Sequence, residues 1–361
     1  MSRFGKIGML PLQPISMTEE EKIRYNRQLA LPSWGMKAQE KVKAGRVIVI
    51  GAGGLGCPVL SYLAAAGIGT ISIMDHDVVD ISNLQRQVIY DMNDIGKNKA
   101  LAASQKLKAF NPLVNIVAIE KALDKKNALE IISGYDIMVD ATDNFETRYL
   151  INDACVILGK PFVFASILGF EGQVSVFNYK DGPTYRCLYP EPPAKENAPN
   201  CNENGVIGAL AGTIGCIQAN EVLKIISGVG ETLSGKLLVM DLLDNKFSAL
   251  KITAIAENKK IKSLGEYNAV CDNSITFISR KNFAEQFSQI PHVSIDVSDE
   301  FEFMPIEDNT KNVPLYEIEQ QNFDNPDTPV ILYCKGGIRS RQAALLLSKK
   351  GMKNIFCLTN N

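Results

Sequence analysis

Two groups of residues in this chain have types and spacings that could do chemistry. The first begins with Gly51, Gly53, Gly54 and Gly56 in the run Gly51-Ala-Gly-Gly-Leu-Gly56, directly after the apolar β-branched run RVIVI and before an Ala/Leu-rich stretch. Glycines at this spacing, between a strand and a helix, let the backbone approach phosphate oxygens while the helix N-terminus offers its unpaired N–H groups. Asp75 closes the next apolar run, TISIM, where an acidic residue is placed to take ribose hydroxyls. An adenine nucleotide is the ligand this pattern implies. NAD(P)-dependent oxidoreductases share the pattern, so the glycines alone leave that alternative open.

The residues after Asp75 separate the two. Asp77, Asn83, Gln85 and Arg86 lie in DHDVVDISNLQRQ, and Lys99 in GKNKA. Hydride transfer has no use for an Arg and a Lys converging on phosphates. An enzyme that breaks a triphosphate does, because cations stabilise charge on the attacked phosphate and on departing pyrophosphate. Asp143 and Asn144 end the run YDIMVDATDN, at the carboxyl edge of a strand where ligands of open α/β sheets collect. Oxygen coordination by Asp143 suits Mg2+. Histidine is limited to His76 and His292, which excludes mechanisms built on a His cluster.

The second group is Cys334-Lys335-Gly336-Gly337-Ile338-Arg339-Ser340, between the apolar run PVILY and a helical stretch. Backbone N–H groups wrapped around a sulfur at a helix N-terminus stabilise a thiolate or a persulfide. Lys335 and Arg339 add positive charge, which suits an anionic sulfur donor.

Apolar runs alternating with helical stretches must position these residues. RVIVI, TISIM, VNIVAIE, YDIMVDAT and KPFVFAS predict a mostly parallel sheet covered on both faces. QVSVFNY and KLLVMDLLDNKFSALKI predict antiparallel strands added to it, with a helix near 208–227 between them. The fold class is therefore α/β: a Rossmann-type doubly wound sheet, mixed through its antiparallel extension, plus a small α/β unit. Thr18 and the acidic residues after it mark a helix start over 18–30. Residues 180–205, rich in proline, read as a mobile crossover loop. Residues 256–274 lose periodicity and read as a linker, giving domains at 1–255 and 275–361.

Net charge is −2, with 46% hydrophobic and 22% charged residues, so neither nucleic acid nor a membrane surface is expected as a partner. No signal peptide stands at the start and no uninterrupted apolar run reaches about 18 residues, so a cytoplasmic protein is expected. The eight cysteines include no C-x-x-C pair. Cys57, Cys155 and Cys216 read as buried packing.

Arg24-Tyr25-Asn26-Arg27-Gln28, the glycine run, SNLQRQ, GKNKA, ATDN and FEGQVSVF occur in this order between about residues 17 and 253. Together they resemble the MoeB/ThiF/HesA family, bacterial relatives of ubiquitin-activating enzymes. The resemblance implies a homodimer that uses ATP to adenylylate the terminal glycine of a ubiquitin-like sulfur carrier ending in Gly-Gly. Such a carrier resembles the molybdopterin-synthase small subunit or the thiamine sulfur carrier. Carried over by position, Gly54 touches ATP, Asp75 binds ribose, Asn83, Arg86 and Lys99 address the phosphates, and Asp143 holds Mg2+. Arg27 enters the neighbouring subunit's site. Cys201 aligns with a cysteine that handles sulfur covalently in some relatives and is dispensable in others.

The family usually binds zinc through two C-x-x-C pairs. Here the first position reads Thr184-Tyr-Arg-Cys187 and the region after Leu250 has none. Zinc is therefore not expected, and Cys187 reads as a relic.

The Cys334 segment resembles the active loop of rhodanese-type sulfurtransferases, with IDV near 295 in the same pattern. Cysteine-desulfurase persulfide or thiosulfate would be the sulfur donor. Ser298 replaces the Arg expected after IDV, and the chain stops at CLTNN where relatives continue, so an incomplete unit is expected. A ThiF-like activator of another small modifier, with a rhodanese-like unit that merely docks a partner, is the alternative.

Overall fold

A computed structural model of the chain describes residues 16–190, 205–267, 275–287, 290–321, 323, 325–334 and 338–359. They form two compact units, one of the described residues up to 267 and one of those from 275 onward. Cys201 and the loop residues Lys335, Gly336 and Gly337 lie outside the described residues.

In the first unit Thr18 caps α1 (Glu19–Arg24) reciprocally: its hydroxyl accepts the Glu21 N–H at 3.2 Å and its own N–H donates to the Glu21 carboxylate at 2.6 Å. The helix read over 18–30 is interrupted at Tyr25, which is buried against Gly67 and whose hydroxyl accepts a bond from Asn111 at 3.0 Å. It resumes as α2 (Asn26–Leu29), followed by α3 (Gly35–Ala44).

The α/β alternation follows as β1 (Arg46–Ile50), α4 (Gly56–Ala66), β2 (Thr70–Met74), α5 (Lys99–Phe110), β3 (Asn115–Ile119), α6 (Ala128–Ser133), β4 (Ile137–Asp140), α7 (Phe145–Leu158) and β5 (Phe162–Leu168). β6 (Glu171–Phe177), α8 (Gly208–Ser227), β7 (Lys236–Asp241) and β8 (Lys246–Lys251) complete the unit. The sheet order is β3-β2-β1-β4-β5-β6-β7-β8, parallel as far as β5 and antiparallel beyond it. β1 is buried on both faces from Val47 onward, which explains its continuous apolar reading.

Helix α8 is long and apolar enough, by length and composition, to span a membrane. It is the helix expected near 208–227, and Gln218, Glu221 and Lys224 interrupt its apolar run. Its buried Leu210, Ala211, Ile214 and Val222 belong to the core, and α8 packs on α3, α4, β5 and β6. Gln218 Nε2 bonds the Asp140 carbonyl at 2.8 Å and the Val163 carbonyl at 3.3 Å, tying α8 to the ends of two strands.

Two expectations change here. Tyr185, inside the stretch read as mobile, is fully buried in an aromatic cluster with Tyr149, Phe164 and Phe177, its ring edge-on to Tyr149 at 5.1 Å. Residues 256–267, read as linker, are likewise anchored on the first unit. Leu264 packs on its core, and Tyr267, 6% exposed, donates to Asp153 at 3.0 Å. Both segments are held by single side chains rather than a repeating pattern, so periodicity could not register them.

The second unit comprises β9 (Ile275–Ser279), α9 (Arg280–Phe287), β10 (Val293–Asp296), β11 (Lys311–Asn312), β12 (Val330–Tyr333), α10 (Ile338–Lys349) and β13 (Ile355–Thr359). Its sheet is parallel throughout, in the order β11-β10-β12-β13-β9. Alternate residues of β12 feed two cores: Val330 and Leu332 pack with α10 residues Ala343, Ala344 and Leu347, while Ile331 and Tyr333 pack with Ile278 and Phe287.

Candidate functional site

Register places three chain reversals side by side: Ile50 pairs with Met74 on one side and Asp140 on the other, so Gly51, Asp75 and Ala141 leave neighbouring strands at one edge. Gly51 has φ +95°, and a Cβ there would lie 2.6 Å from the Ala141 carbonyl oxygen. A Cβ on Gly56 would lie 2.1 Å from the Gly51 carbonyl oxygen. Both positions therefore require glycine, and together they fold the turn that delivers the first amides of α4 to the edge.

Asp75, 9% exposed, stiffens this turn by accepting the Ala52 N–H at 2.7 Å and the Asp77 N–H at 2.9 Å. Burial pushes its carboxyl above the ordinary range, against the pull of those two bonds. Each oxygen still has a lone pair for a ribose hydroxyl. Lys99, the first residue of α5, pairs with Asp77 at 3.0 Å. The stem of Arg86 lies against Gly54, and its guanidinium donates to the Ser82 carbonyl at 3.2 Å. Asn83 is half-buried and accepts the Asp80 N–H at 3.4 Å, while the Gln85 side chain is exposed. Asp75, His76 and Asp77 bring ligand atoms within 4.8 Å of one another, but both carboxylates are already engaged.

Sequence reasoning missed Gln87. It is 3% exposed, stands beside Gly53, and its Oε1 is buried with no partner among the described residues. An unpaired buried acceptor next to a phosphate-binding turn fits a ligand that brings a donor. Its place directly after Arg86, closing SNLQRQ, was the available signal.

Asp143 and Asn144 are exposed at the end of β4, and Asn144 caps α7 by accepting the Thr147 N–H at 2.8 Å. A buried layer holds their loop. Asp140 accepts Thr142 N–H and hydroxyl bonds at 3.0 and 2.7 Å, and Arg148 donates to the Thr142 carbonyl at 3.0 Å. The Arg148 guanidinium lies over the Phe145 and Phe164 rings. Burial pushes the Asp140 carboxyl up, with Arg148 opposing. Arg27 is exposed on α2 and makes no hydrogen bond or ion pair among the described residues.

In the second unit Cys334 follows β12, 4% exposed, and its sulfur accepts the Ser340 N–H at 3.5 Å from the first turn of α10. Ser298 is buried, its N–H donating to Asp296 at 2.9 Å and its hydroxyl without a partner among the described residues. Arg339 departs from the expectation. Rather than standing free for an anionic donor, it pairs with Asp299 at 3.2 Å and Glu302 at 2.5 Å.

Residues 25–261 match the ThiF family. The chain belongs to the ThiF family. Its residues 279–360 match a rhodanese-like domain. Among curated relatives of this ThiF-family chain is the "Probable adenylyltransferase/sulfurtransferase MoeZ" of Mycobacterium tuberculosis, 39% identical over 95% of this chain and 92% of the relative. The "Adenylyltransferase and sulfurtransferase MOCS3" of Xenopus laevis is 40% identical over 88% of this chain and 76% of its own. The "Sulfur carrier protein adenylyltransferase" of Thermus thermophilus is 46% identical over 70% of this chain and 98% of its own. Among solved structures, E. coli MccB in complex with MccA-N7isoASN shares the fold with a TM-score of 0.58 and 23% identity, over 65% of this chain and 72% of that one. This ThiF-family chain is thus an ATP-using adenylyltransferase with a sulfurtransferase-type unit after it.

The segment where the ThiF family usually carries zinc gives Cys187 a role other than relic. Its sulfur accepts N–H bonds from Thr184 at 3.4 Å, Ile255 at 3.3 Å and Asn258 Nδ2 at 3.6 Å. Burial raises the thiol, but the bonds from Thr184, Ile255 and Asn258 outweigh it and hold Cys187 below its ordinary value. A hydrogen-bonded sulfur therefore joins the turn at 184–187 to the segment at 255–258. Elsewhere Cys57 and Cys155 are buried as expected, whereas Cys216 is half-exposed on α8.

Proposed function

We propose that the first unit adenylylates the C-terminal carboxylate of a ubiquitin-like sulfur carrier ending in Gly-Gly, and that Cys334 carries the sulfur that converts it to a thiocarboxylate. The observation that carries this reading is the gathering of the Gly51–Gly56 turn, Asp75, Lys99, Arg86 and the Asp143 loop at one edge of a sheet.

The carboxylate is ionised at pH 7, so attack on the α-phosphate needs no protein base. Catalysis then reduces to positioning and charge. The α4 amides orient the phosphates, Asp75 takes the ribose, and Lys99 and Arg86 stabilise the pyrophosphate that leaves. Asp143, an exposed oxygen donor with no partner among the described residues, is the residue suited to Mg2+. Such an ion would neutralise charge on the triphosphate. The outer sulfur of a Cys334 persulfide then attacks the acyl carbon and AMP leaves, giving an acyl disulfide. A second thiolate, for which Cys201 is the candidate, attacks the Cys334 sulfur. That releases the thiocarboxylate and leaves a disulfide.

Exchange of labelled pyrophosphate into ATP tests the reading. It should depend on a carrier ending in Gly-Gly and vanish when the terminal glycine is removed. Exchange independent of any carrier would sink it.

A further inference from the structure

Tyr90 lies in the segment between β2 and α5, four residues after Arg86, and is 6% exposed. Its hydroxyl donates toward two carbonyls, Ala52 at 2.9 Å and Lys99 at 3.1 Å. Ala52 stands between Gly51 and Gly53 in the phosphate-binding turn, and Lys99 opens α5. Both residues are also held from the other side. Asp75 takes the Ala52 N–H at 2.7 Å, and the Asp77 carbonyl takes the Lys99 N–H at 2.8 Å. The Tyr90 N–H donates to the Gln87 carbonyl at 3.1 Å, while the Arg86 and Gln87 amides both reach the Asn83 carbonyl. One side chain thus joins the glycine turn, the Arg86 segment and the first residue of the Lys99 helix. Burial pushes the Tyr90 hydroxyl far above the ordinary tyrosine value, with Cys57, Asp75 and Asp94 adding to it, so it stays a donor.

A buried phenol needs only one acceptor to be satisfied, and its ring alone would fill the core. Tyr90 instead shares its single proton between two backbone atoms whose separation fixes where the Lys99 ammonium stands relative to the turn. A cation slightly out of place loses much of its effect on charge that forms only as pyrophosphate departs. We propose that Tyr90 is a positioning residue for adenylylation: by bridging Ala52 and Lys99 it fixes the distance between the phosphate turn and the cation that meets the leaving pyrophosphate. This rests on the reading of the first unit as the activator of a carrier carboxylate. Tyr90 acts through Lys99, so removing the lysine removes the need for the hydroxyl. The hold on ATP itself comes from Asp75 and the α4 amides, which Tyr90→Phe leaves in place. The loss therefore falls on kcat rather than on KM for ATP.

The test compares Tyr90→Phe with Tyr135→Phe in the full chain, by exchange of labelled pyrophosphate into ATP with a saturating carrier ending in Gly-Gly. Tyr135 is the control: its hydroxyl donates to Ser72 at 2.7 Å in the same unit, at the opposite end of β4 from Asp143. Both variants should lose a few degrees of melting temperature. Only Tyr90→Phe should lose exchange, with kcat down about tenfold and KM for ATP within about twofold of wild type. In a Lys99→Ala background the same substitution should cost less than about twofold more. Rates are taken well below the melting midpoints and per folded chain, measured by circular dichroism, so that lost fold does not imitate lost catalysis. Unchanged kcat in Tyr90→Phe would overturn the proposal. So would equal losses in the two tyrosine variants, an effect confined to KM, or a further loss of about tenfold on top of Lys99→Ala. Wild-type protein without carrier-dependent exchange would instead overturn the adenylylation reading itself, and this role with it.

Discussion

Lys99 Nζ lies 3.0 Å from Asp77 Oδ2, and the two side chains differ in exposure, 9% for the lysine and 55% for the aspartate. The ammonium is thus held in place by a partner that faces water. Phosphate oxygens arriving at the edge would meet a cation already aimed, with little side-chain entropy left to lose. Lys99→Ala should lower carrier-dependent pyrophosphate exchange on the order of 10²–10³-fold. Asp77→Asn keeps the ammonium and loosens its aim, so its loss should be about tenfold. The double variant should resemble Lys99→Ala, because the aspartate acts through the lysine; additive losses would show two independent roles.

Asp143 and Arg27 are exposed on separate elements and make no bonds among the described residues. If Arg27 serves the site of a second copy, Arg27→Ala and Asp143→Ala should each lose exchange by on the order of 10³-fold. Mixing the two proteins under conditions that exchange subunits should restore activity through the hybrid site that keeps both residues. Verified subunit exchange with no recovery would remove the shared-site geometry.

Cys187 gives a pH signature. Its folded-state value lies below the ordinary thiol value, so the folded state favours the thiolate. The resulting stabilisation is lost as pH falls through the folded-state value and fully present above the unfolded value, about 8.5. The difference in melting temperature between wild type and Cys187→Ala should therefore widen from pH 7 to pH 9.5. A constant gap would show that the sulfur acts by packing alone. Metal analysis should find no stoichiometric zinc; one zinc per chain would make Cys187 a ligand instead.

The Asp153 carboxylate, 2% exposed, is held by Arg186 at 2.8 and 2.9 Å and by Tyr267 at 3.0 Å. Arg186→Ala leaves that charge buried and should cost about 2–3 kcal/mol, and Tyr267→Phe about 1 kcal/mol, both read by denaturant unfolding. A chain ending at residue 268 should fold as the first unit, whereas one ending at 255 should melt lower because Leu264 and Tyr267 are gone. Equal melting temperatures would return residues 256–267 to the status of linker.

What the sequence disclosed and what it hid divide along physical lines. The parallel strands were legible because burial on both faces writes a continuous apolar run, as in Val47–Ile50. The glycine turn was legible because its backbone geometry admits no other residue at Gly51 and Gly56. Tyr185 and Tyr267 were hidden, since a lone aromatic filling a core leaves no period. The engagement of Arg339 was also hidden: its partners Asp299 and Glu302 are about forty residues away and read as solvated acids. Cys187 had the right residue type, but its meaning depended on amides from Ile255 and Asn258, which every sequence possesses.

The strand order of the first unit also bears on how the chain emerges from the ribosome. Every strand after β1 except β4 pairs with the one made just before it, so the sheet can lengthen at its edges in step with synthesis. The exception is the meeting of β1 with β4, clasped by Arg46 and Asp136 across 90 residues. That closure must await the α5 and α6 segments, and its loop entropy falls due before its contacts form. Until Asp136 has left the exit tunnel, β1 presents an uncovered edge, and this interval is when a nascent chain would most need a chaperone.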